Sequence, residues 1–279
     1  MTTQDSGSAG QPTKRRTVTA MAMDFTLDVP VAVSDESLDT VMAIVASDLT
    51  WADGIFSLYK PESELSRLGR GEASIGDCVP AVAEVLDLCE QYREETGGAF
   101  DARRPDGVID PTGVVKTWAM ERVRWRFQLL GASAWLWGCA GDVTALGVPA
   151  PAQPWRIGIA DPRSSDAPAG EPGPARVVDA IDLADGRSVA TSGTAHSGEH
   201  IWDPRKGVAA QHYAQVSVAG GDLVQCDAWA TAIMAGGRKV ALAAQSEGLD
   251  VLTCSVREGK VFSERSPGWP TLAAPGERI

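Results

Sequence analysis

The chain has 279 residues and a formal net charge of −12, with 37 acidic against 25 basic side chains. Its length suffices for one large domain or two small ones. Because proteins that bind duplex nucleic acid need clustered Lys and Arg, this balance argues against a nucleic-acid partner. No apolar run approaches the roughly 18 residues that a bilayer span requires, so we expect a cytoplasmic protein without a membrane span.

The chain begins with a polar, basic segment. Residues 1–16 are predicted as a flexible tail and residues 17–279 as one domain. Alternating apolar side chains over 18–33 indicate a single opening strand. Ser34 then stands at an N-cap position, and apolar residues follow at helical spacing as far as Leu49, which predicts the first helix.

Later segments change from helical to extended patterns. Helices and strands are interspersed without a strict βαβ rhythm, which predicts an α+β fold with mixed or antiparallel sheets. Helices are predicted over 79–95, from just after Asp110-Pro111-Thr112-Gly113 to Gly131, and from Asp222 or Gln225 to Gly236. Short strands are predicted from 133 to 193, interrupted by a Pro/Gly/Ser-rich loop at 162–175, and further strands at 213–220, 251–256 and 260–264.

Several common sites are missing from the sequence. The five cysteines include no C-x-x-C pair, which favours reduced, buried thiols. The three histidines form no H-E-x-x-H motif, which argues against a zinc site. The sequence also has no phosphate loop, no dinucleotide-binding G-x-G-x-x-G after a strand and no G-x-S-x-G elbow. A nucleotide ligand would therefore need another kind of cradle, with basic groups, helix N-termini or a metal ion to offset the acidic charge.

An exposed aromatic residue marks the first unusual segment, FSLYKPESELSRLGRG at 56–71. Tyr59 precedes a proline, and its ring has the right chemistry to stack on isoalloxazine or adenine. The alternative is a surface turn that Ser63 caps.

Two aspartates mark the second segment, 97–123. Asp101 and Asp110 flank turns rich in Gly and Pro, and the helix after Asp110 directs its N-terminal N–H groups toward an anion. Lys116 lies one turn into this helix, where it suits a phosphate or a carboxylate. The alternative is a pair of Asx turns and a solvated Lys.

The third and fourth segments lie in the second half of the chain. In 188–207, His200 and Asp203 stand in a polar loop, which favours a functional His over a core His. In 226–237, Asp227 and Thr231 are four residues apart and so share one helix face. A carboxylate and a hydroxyl at this spacing suit Mg²⁺, although an acidic residue near a helix N-terminus is the common structural alternative.

Together and in this order, the four segments resemble the ApbE family of FAD:protein FMN transferases from about residue 17 to 256. FSLYKPESELSRL and HIWDPRKG match the family's patterns specifically, whereas GAFD, DPTGVVK and DAWATA are weaker matches in the correct order. Departures include Met21, Ala22 and Met23 where the family has Met-Gly-Thr, Thr117 after the lysine, and Ala140 in a turn that is usually Gly-Gly-Asp.

The resemblance implies a role for individual residues. It implies metal binding by Asp227, Thr231 and the main-chain carbonyl of Val115, and catalytic positions at Asp227 and His200, with Asp203 in the same loop. The positions that the resemblance assigns to flavin or dinucleotide contacts are Met21, Tyr59, Ala99, Phe100, Asp101, Asp110, Lys116 and Ile201.

The implied reaction uses FAD as substrate and Mg²⁺ as cofactor. An acceptor protein with a Ser/Thr-Gly-Ala-Thr-like motif supplies a hydroxyl that attacks the FMN phosphorus, and AMP leaves. Two other functions use the same residues: a flavin-binding or flavin-trafficking protein with little transfer activity, and a Mg²⁺-dependent FAD pyrophosphatase.

Overall fold

A computed structural model describes residues 13–149, 154–163, 176–183, 186–193 and 202–270. Within these ranges the chain forms six α-helices, α1 Asp35–Phe56, α2 Glu64–Gly69, α3 Pro80–Glu95, α4 Thr112–Val123, α5 Leu223–Gly236 and α6 Arg238–Ser246. The strands are β1 Thr13–Ala20, β2 Met23–Pro30, β3 Trp135–Cys139, β4 Asp142–Leu146, β5 Trp155–Ala160, β6 Val177–Leu183, β7 Ser188–Gly193, β8 Trp202–Asp203, β9 Val208–Ala209, β10 Gln215–Gly220, β11 Asp250–Arg257 and β12 Lys260–Arg265.

An eight-stranded sheet organises the molecule. Its strand order is β1-β2-β3-β4-β7-β10-β11-β12, and every neighbouring pair is antiparallel. Strands β5 and β6 form a separate hairpin, as do the short strands β8 and β9. The predicted α+β class with antiparallel pairing is confirmed.

The main core lies between one face of this sheet and the helices. Helix α5 crosses the sheet with nearly every side chain buried, including Trp229 and Met234, because it packs against strands and helices on all sides. On the opposite face, a smaller cluster joins Trp155 and Ile181 of the β5–β6 hairpin to Trp269. The sheet is therefore covered on both faces, and α5 is buried against one of them.

The predicted helices are confirmed with small changes. Ser34 caps α1, Asp222 caps α5, and each side chain accepts an N–H of the first turn. The helix predicted to reach Gly131 changes to a 3₁₀ helix at Arg124, and Gly131 ends it in the left-handed conformation. Helix α6 was not predicted. No helix among the described residues is long and apolar enough to cross a membrane.

The prediction of one opening strand over 18–33 is wrong. Strands β1 and β2 form a hairpin in which Ala20 pairs with Met23, so Met21 and Ala22 make a two-residue turn. Both residues have positive φ, 53° and 58°, as a type I′ turn requires. The sequence concealed this turn because neither residue is Gly, Asn or Asp. Residues 13–16, predicted as part of the tail, belong to β1.

Candidate functional site

One end of the large sheet collects the turns that border the site. Phe25 at the start of β2 pairs with Cys139 at the end of β3, so the 21–22 turn and the turn at Ala140 and Gly141 lie side by side. The backbone N–H of Thr191 donates to Asp142 Oδ1 over 3.0 Å, which brings the end of β7 to the same place. Antiparallel pairing thus brings three distant segments together.

A buried charge cluster connects this end of the sheet to α4 and α5. Lys116 Nζ lies 2.5 Å from Asp142 Oδ2 and 3.6 Å from Asp227 Oδ2. The Thr117 hydroxyl donates to the same Asp227 oxygen over 3.2 Å. The Asp142 side chain is 0% exposed and that of Asp227 is 4% exposed. Two carboxylates and one ammonium group therefore share a site with little access to water.

Burial determines the ionisation of this cluster. It raises the pKa of Asp227 to about 7, and the neighbouring charge of Asp142 acts in the same direction. Burial also raises the pKa of Asp142. For Lys116, burial favours loss of the proton, but the charges of Asp142 and Asp227 outweigh it and raise the pKa above its ordinary value. The lysine is therefore charged, and the cluster holds one negative charge in excess when both carboxyls are ionised.

A second set of polar groups lies one turn further along α5. Thr231 Oγ1 and Ser192 Oγ are 3.2 Å apart, which joins α5 to the end of β7. At Gly113, in the first turn of α4, a side-chain Cβ would lie 2.9 Å from the Phe100 ring and 3.9 Å from Thr231 Oγ1. The sequence-predicted residues Phe100 and Thr231 therefore meet at the N-terminus of α4, and glycine leaves room for the ring.

The donor groups fit a hard cation. Asp227 and Thr231 present a carboxylate and a hydroxyl from one face of α5, and Val115 is buried in the first turn of the adjoining α4. Such oxygen ligands, with a buried excess of negative charge, suit Mg²⁺. Within the described ranges, no three His, Cys, Asp or Glu side chains gather as a metal site.

The two predicted binding aspartates shape the turns before α4. Asp101 Oδ1 accepts the N–H of Arg103, and Asp110 Oδ1 accepts both the N–H and the hydroxyl of Thr112. These are the Asx turns that were the structural alternative for this segment. The Asp110 N–H also donates to the Ala102 carbonyl over 2.7 Å. A dinucleotide contact at either aspartate stays a prediction.

The structure shows different things of the other predicted residues. Tyr59 is 98% exposed, so its ring is free to meet a ligand, but no described contact joins it to the Asp227 cluster. Met21 is half-buried in the 21–22 turn and packs against the main core. Lys116 points at two carboxylates, and its contact with a dinucleotide stays a prediction. His200 and Ile201 lie outside the described residues.

Sequence reasoning gave no role to Asp142, Ser192 or Arg205. Asp142 was visible only as the end of a turn pattern, and its pairing with Lys116 depends on how β4 meets α4. Arg205 binds the buried carboxylate of Asp203 through Nε and Nη2, over 2.8 and 3.1 Å. For Asp142 and Arg205, the available signal was their charge within matched motifs.

The sequence is similar to that of one known family and of a named relative. The ApbE family model matches residues 21–104 and 101–253. An FAD:protein FMN transferase from Salmonella typhimurium is 26% identical over 60% of this chain, and the chain spans about half (48%) of that protein.

Solved structures share the fold. The flavin transferase ApbE from Vibrio cholerae matches with a TM-score of 0.74 and 19% identity, covering 94% of this chain and 100% of the other. The apo flavinyl transferase ApbE of Pseudomonas stutzeri also reaches 0.74, with 20% identity over 93% and 96% of the two chains. Because the family model matches most of its length, the chain belongs to the ApbE family.

Proposed function

We propose that this protein transfers FMN from FAD to a Ser or Thr hydroxyl of an acceptor protein and releases AMP. The observation that carries the proposal is that, within an ApbE fold, Phe100 and Thr231 both lie close to Gly113 of α4, while Asp227, one turn before Thr231 on α5, pairs with Lys116 of α4. The name of the Salmonella relative, FAD:protein FMN transferase, supports the same reaction.

The metal proposed for this site is Mg²⁺. Asp227, Thr231 and the Val115 carbonyl would hold it, and when bound it supplies positive charge to the pyrophosphate of FAD. The N–H groups of Thr112, Val114 and Val115 in the first turn of α4 already donate to Asp110 and Pro111, so this helix end favours an anion through its dipole. Gly113 keeps this turn open, since a Cβ there would meet Phe100. The proposed sites for the pyrophosphate of FAD and for Mg²⁺ therefore lie next to each other.

Binding of FAD is proposed to use several turns near α4 and α5. The turn of residues 99–101 holds adenosine, while Phe100 is fixed by an edge contact with Tyr92, at a ring separation of 6.4 Å. Tyr59 and Met21 would contact the flavin rings, Ile201 would lie along the dinucleotide, and Asp110 would bind it at the start of α4. An exposed tyrosine ring supplies stacking area at a small entropic cost.

The reaction forms a bond between the acceptor oxygen and the FMN phosphorus while the anhydride bond to AMP breaks. The acceptor hydroxyl must lose its proton, and we assign this role to Asp227 or His200. Asp227 suits it by position, because its buried carboxylate lies one turn from Thr231 on the same face of α5. Lys116 holds the Asp227 carboxylate in position through the 3.6 Å ion pair.

The acceptor is proposed to be a protein with a Ser/Thr-Gly-Ala-Thr-like motif. The cytoplasm is the proposed location, because all five cysteines are free thiols and four of them are buried.

The direct test incubates the purified protein with FAD, Mg²⁺ and a domain that carries this motif. We expect covalent flavin on the acceptor by mass spectrometry, and none when the motif's attacking hydroxyl is replaced by Ala. Free FMN without a labelled acceptor would identify a pyrophosphatase, and intact bound FAD would identify a flavin carrier; either result would overturn the transferase proposal.

A further inference from the structure

Arg205 is partly exposed, but it makes more hydrogen bonds than a surface arginine usually does. Its Nε and Nη2 donate to the two oxygens of Asp203, and its backbone N–H donates to Asp203 Oδ1 over 3.1 Å. The Asp203 side chain is 2% exposed. The Asp203 carbonyl also accepts the N–H of Gly207 over 2.8 Å, which closes the β8–β9 turn. The guanidinium group is therefore fixed in direction as well as in place.

The fixed side chain of Arg205 lies beside two glycines from different parts of the site, with its Cγ near Gly98 and its Nη2 near Gly236. A Cβ at Gly98 would lie 3.6 Å from Arg205 Cγ, and one at Gly236 would lie 3.0 Å from Arg205 Nη2 and 3.2 Å from Ala99 Cβ. Gly98 begins the turn proposed to hold adenosine, and Gly236 ends α5, which carries Asp227 and Thr231. Arg205 thus touches both halves of the proposed FAD site.

We propose that Arg205 is a positioning residue that sets the distance between the 98–101 turn and α5, and so aligns the adenosine end of FAD with the metal-binding helix. The proposal rests on the proposed function for the identity of the ligand. It does not require Arg205 to contact FAD.

Lys206 offers a matched control from the same ion-pair network. Its Nζ lies 3.0 Å from Asp203 Oδ2, but its side chain is 61% exposed, and no glycine of the site contacts it among the described residues. Removal of either cation takes one partner from Asp203. Only removal of Arg205 also removes the side chain that lies beside Gly98 and Gly236.

The test compares Arg205→Met with Lys206→Met in the full-length chain. Flavin fluorescence gives the Kd for FAD, and transfer assays give KM and kcat. For Arg205→Met we expect the Kd and KM for FAD to rise about tenfold while kcat at saturating FAD falls less than about threefold, since a misplaced turn weakens binding before chemistry. Arg205→Lys should recover part of the loss, and Lys206→Met should bind FAD like the wild type.

Amide exchange separates this proposal from the proposed function because it needs no flavin. The Phe100 N–H donates to Thr96 Oγ1 over 3.0 Å within the turn, and its exchange should accelerate in Arg205→Met but not in Lys206→Met. Unchanged exchange at Phe100, or an unchanged FAD Kd, would overturn the positioning role. Faster exchange and weaker FAD binding in a protein that transfers no flavin would support the role and reject only the transferase activity.

Discussion

Two charge clusters of this protein each combine buried carboxylates with basic side chains, but the carboxyl pKa shifts in opposite directions in the two. In one, Asp142 and Asp227 surround Lys116 beneath α4 and α5, and burial raises the pKa of both carboxyls. In the other, Asp203 is bound by Arg205 and Lys206, and the hydrogen bonds from Arg205 hold its pKa well below the usual range. Burial dominates the first cluster and hydrogen bonding the second.

The charge balance differs between the two clusters and suits each of them to a different role. The first cluster has one lysine for two carboxylates, so it retains negative charge that a cation can neutralise. The second has two cations for one carboxylate, so its charge is already neutralised and its groups are fixed in place. We infer that the first cluster takes part in ligand and metal binding, whereas the second maintains geometry.

The largest expected effect comes from Asp227→Asn. The amide keeps the shape of the side chain but removes the charge proposed to hold Mg²⁺, so we expect kcat for flavin transfer to fall about 10³-fold. Transfer measured over a range of Mg²⁺ concentrations tests this, with circular dichroism to confirm the fold. Asp182→Asn, on the β5–β6 hairpin, is the control. Full activity in Asp227→Asn would remove this carboxylate from the mechanism.

The next largest effect is on the free energy of unfolding, and it compares removal of Lys116 with removal of Arg205. Lys116→Met leaves two buried carboxylates without a counter-charge, which should lower the free energy of unfolding by about 3 kcal/mol. Arg205→Met removes a partly exposed pair and should cost less than about 1 kcal/mol. Urea unfolding with EDTA present measures both values. If both variants lost the same free energy of unfolding, the two clusters would not differ in the way described above.

The smallest expected effect is the pH dependence of the metal-free protein. Because the pKa of Asp227 is about 7 when folded and about 4 when unfolded, the native state binds more protons between these values. Stability from this group is therefore present below pH 4 and declines as pH rises to 7, by about 1–2 kcal/mol between pH 5 and 7. Asp203 has a lowered pKa, so its contribution is present above pH 4 and is lost only in acid.

Urea midpoints at pH 5, 6, 7 and 8 with EDTA test this contrast. Asp227→Asn should flatten the pH profile of the wild type, and Arg205→Met should leave its slope unchanged. A wild-type profile that rises between pH 5 and 7 would contradict the raised pKa of Asp227.

Much of the fold could be predicted from patterns of a few residues. The caps at Ser34 and Asp222 and the apolar spacing of α1, α3 and α5 depend on local chemistry, so the sequence shows them directly. The hairpin at Met21 and Ala22 could not be predicted in this way, because its left-handed turn contains neither Gly nor Asn.

The structure shows the backbone conformation at two positions where this chain lacks the family's glycine. Ala22 and Ala140 stand where the family has Gly, and both have positive φ, 58° and 49°. An alanine in this conformation is strained relative to glycine, so the family's preference follows from backbone geometry. The backbone turn is retained in each case, as the Ala20–Met23 and Cys139–Asp142 pairings demonstrate.

By itself, the sequence determined the α+β class, the helix that carries Asp227 and Thr231 on one face, and the resemblance to one family, because each depends on short-range spacing or on motif order. Only the tertiary structure decided that Asp142 joins Lys116 and Asp227, and that Arg205 lies beside Gly98 and Gly236. These contacts join residues far apart in the chain, and burial within the folded protein then sets which carboxyls are ionised.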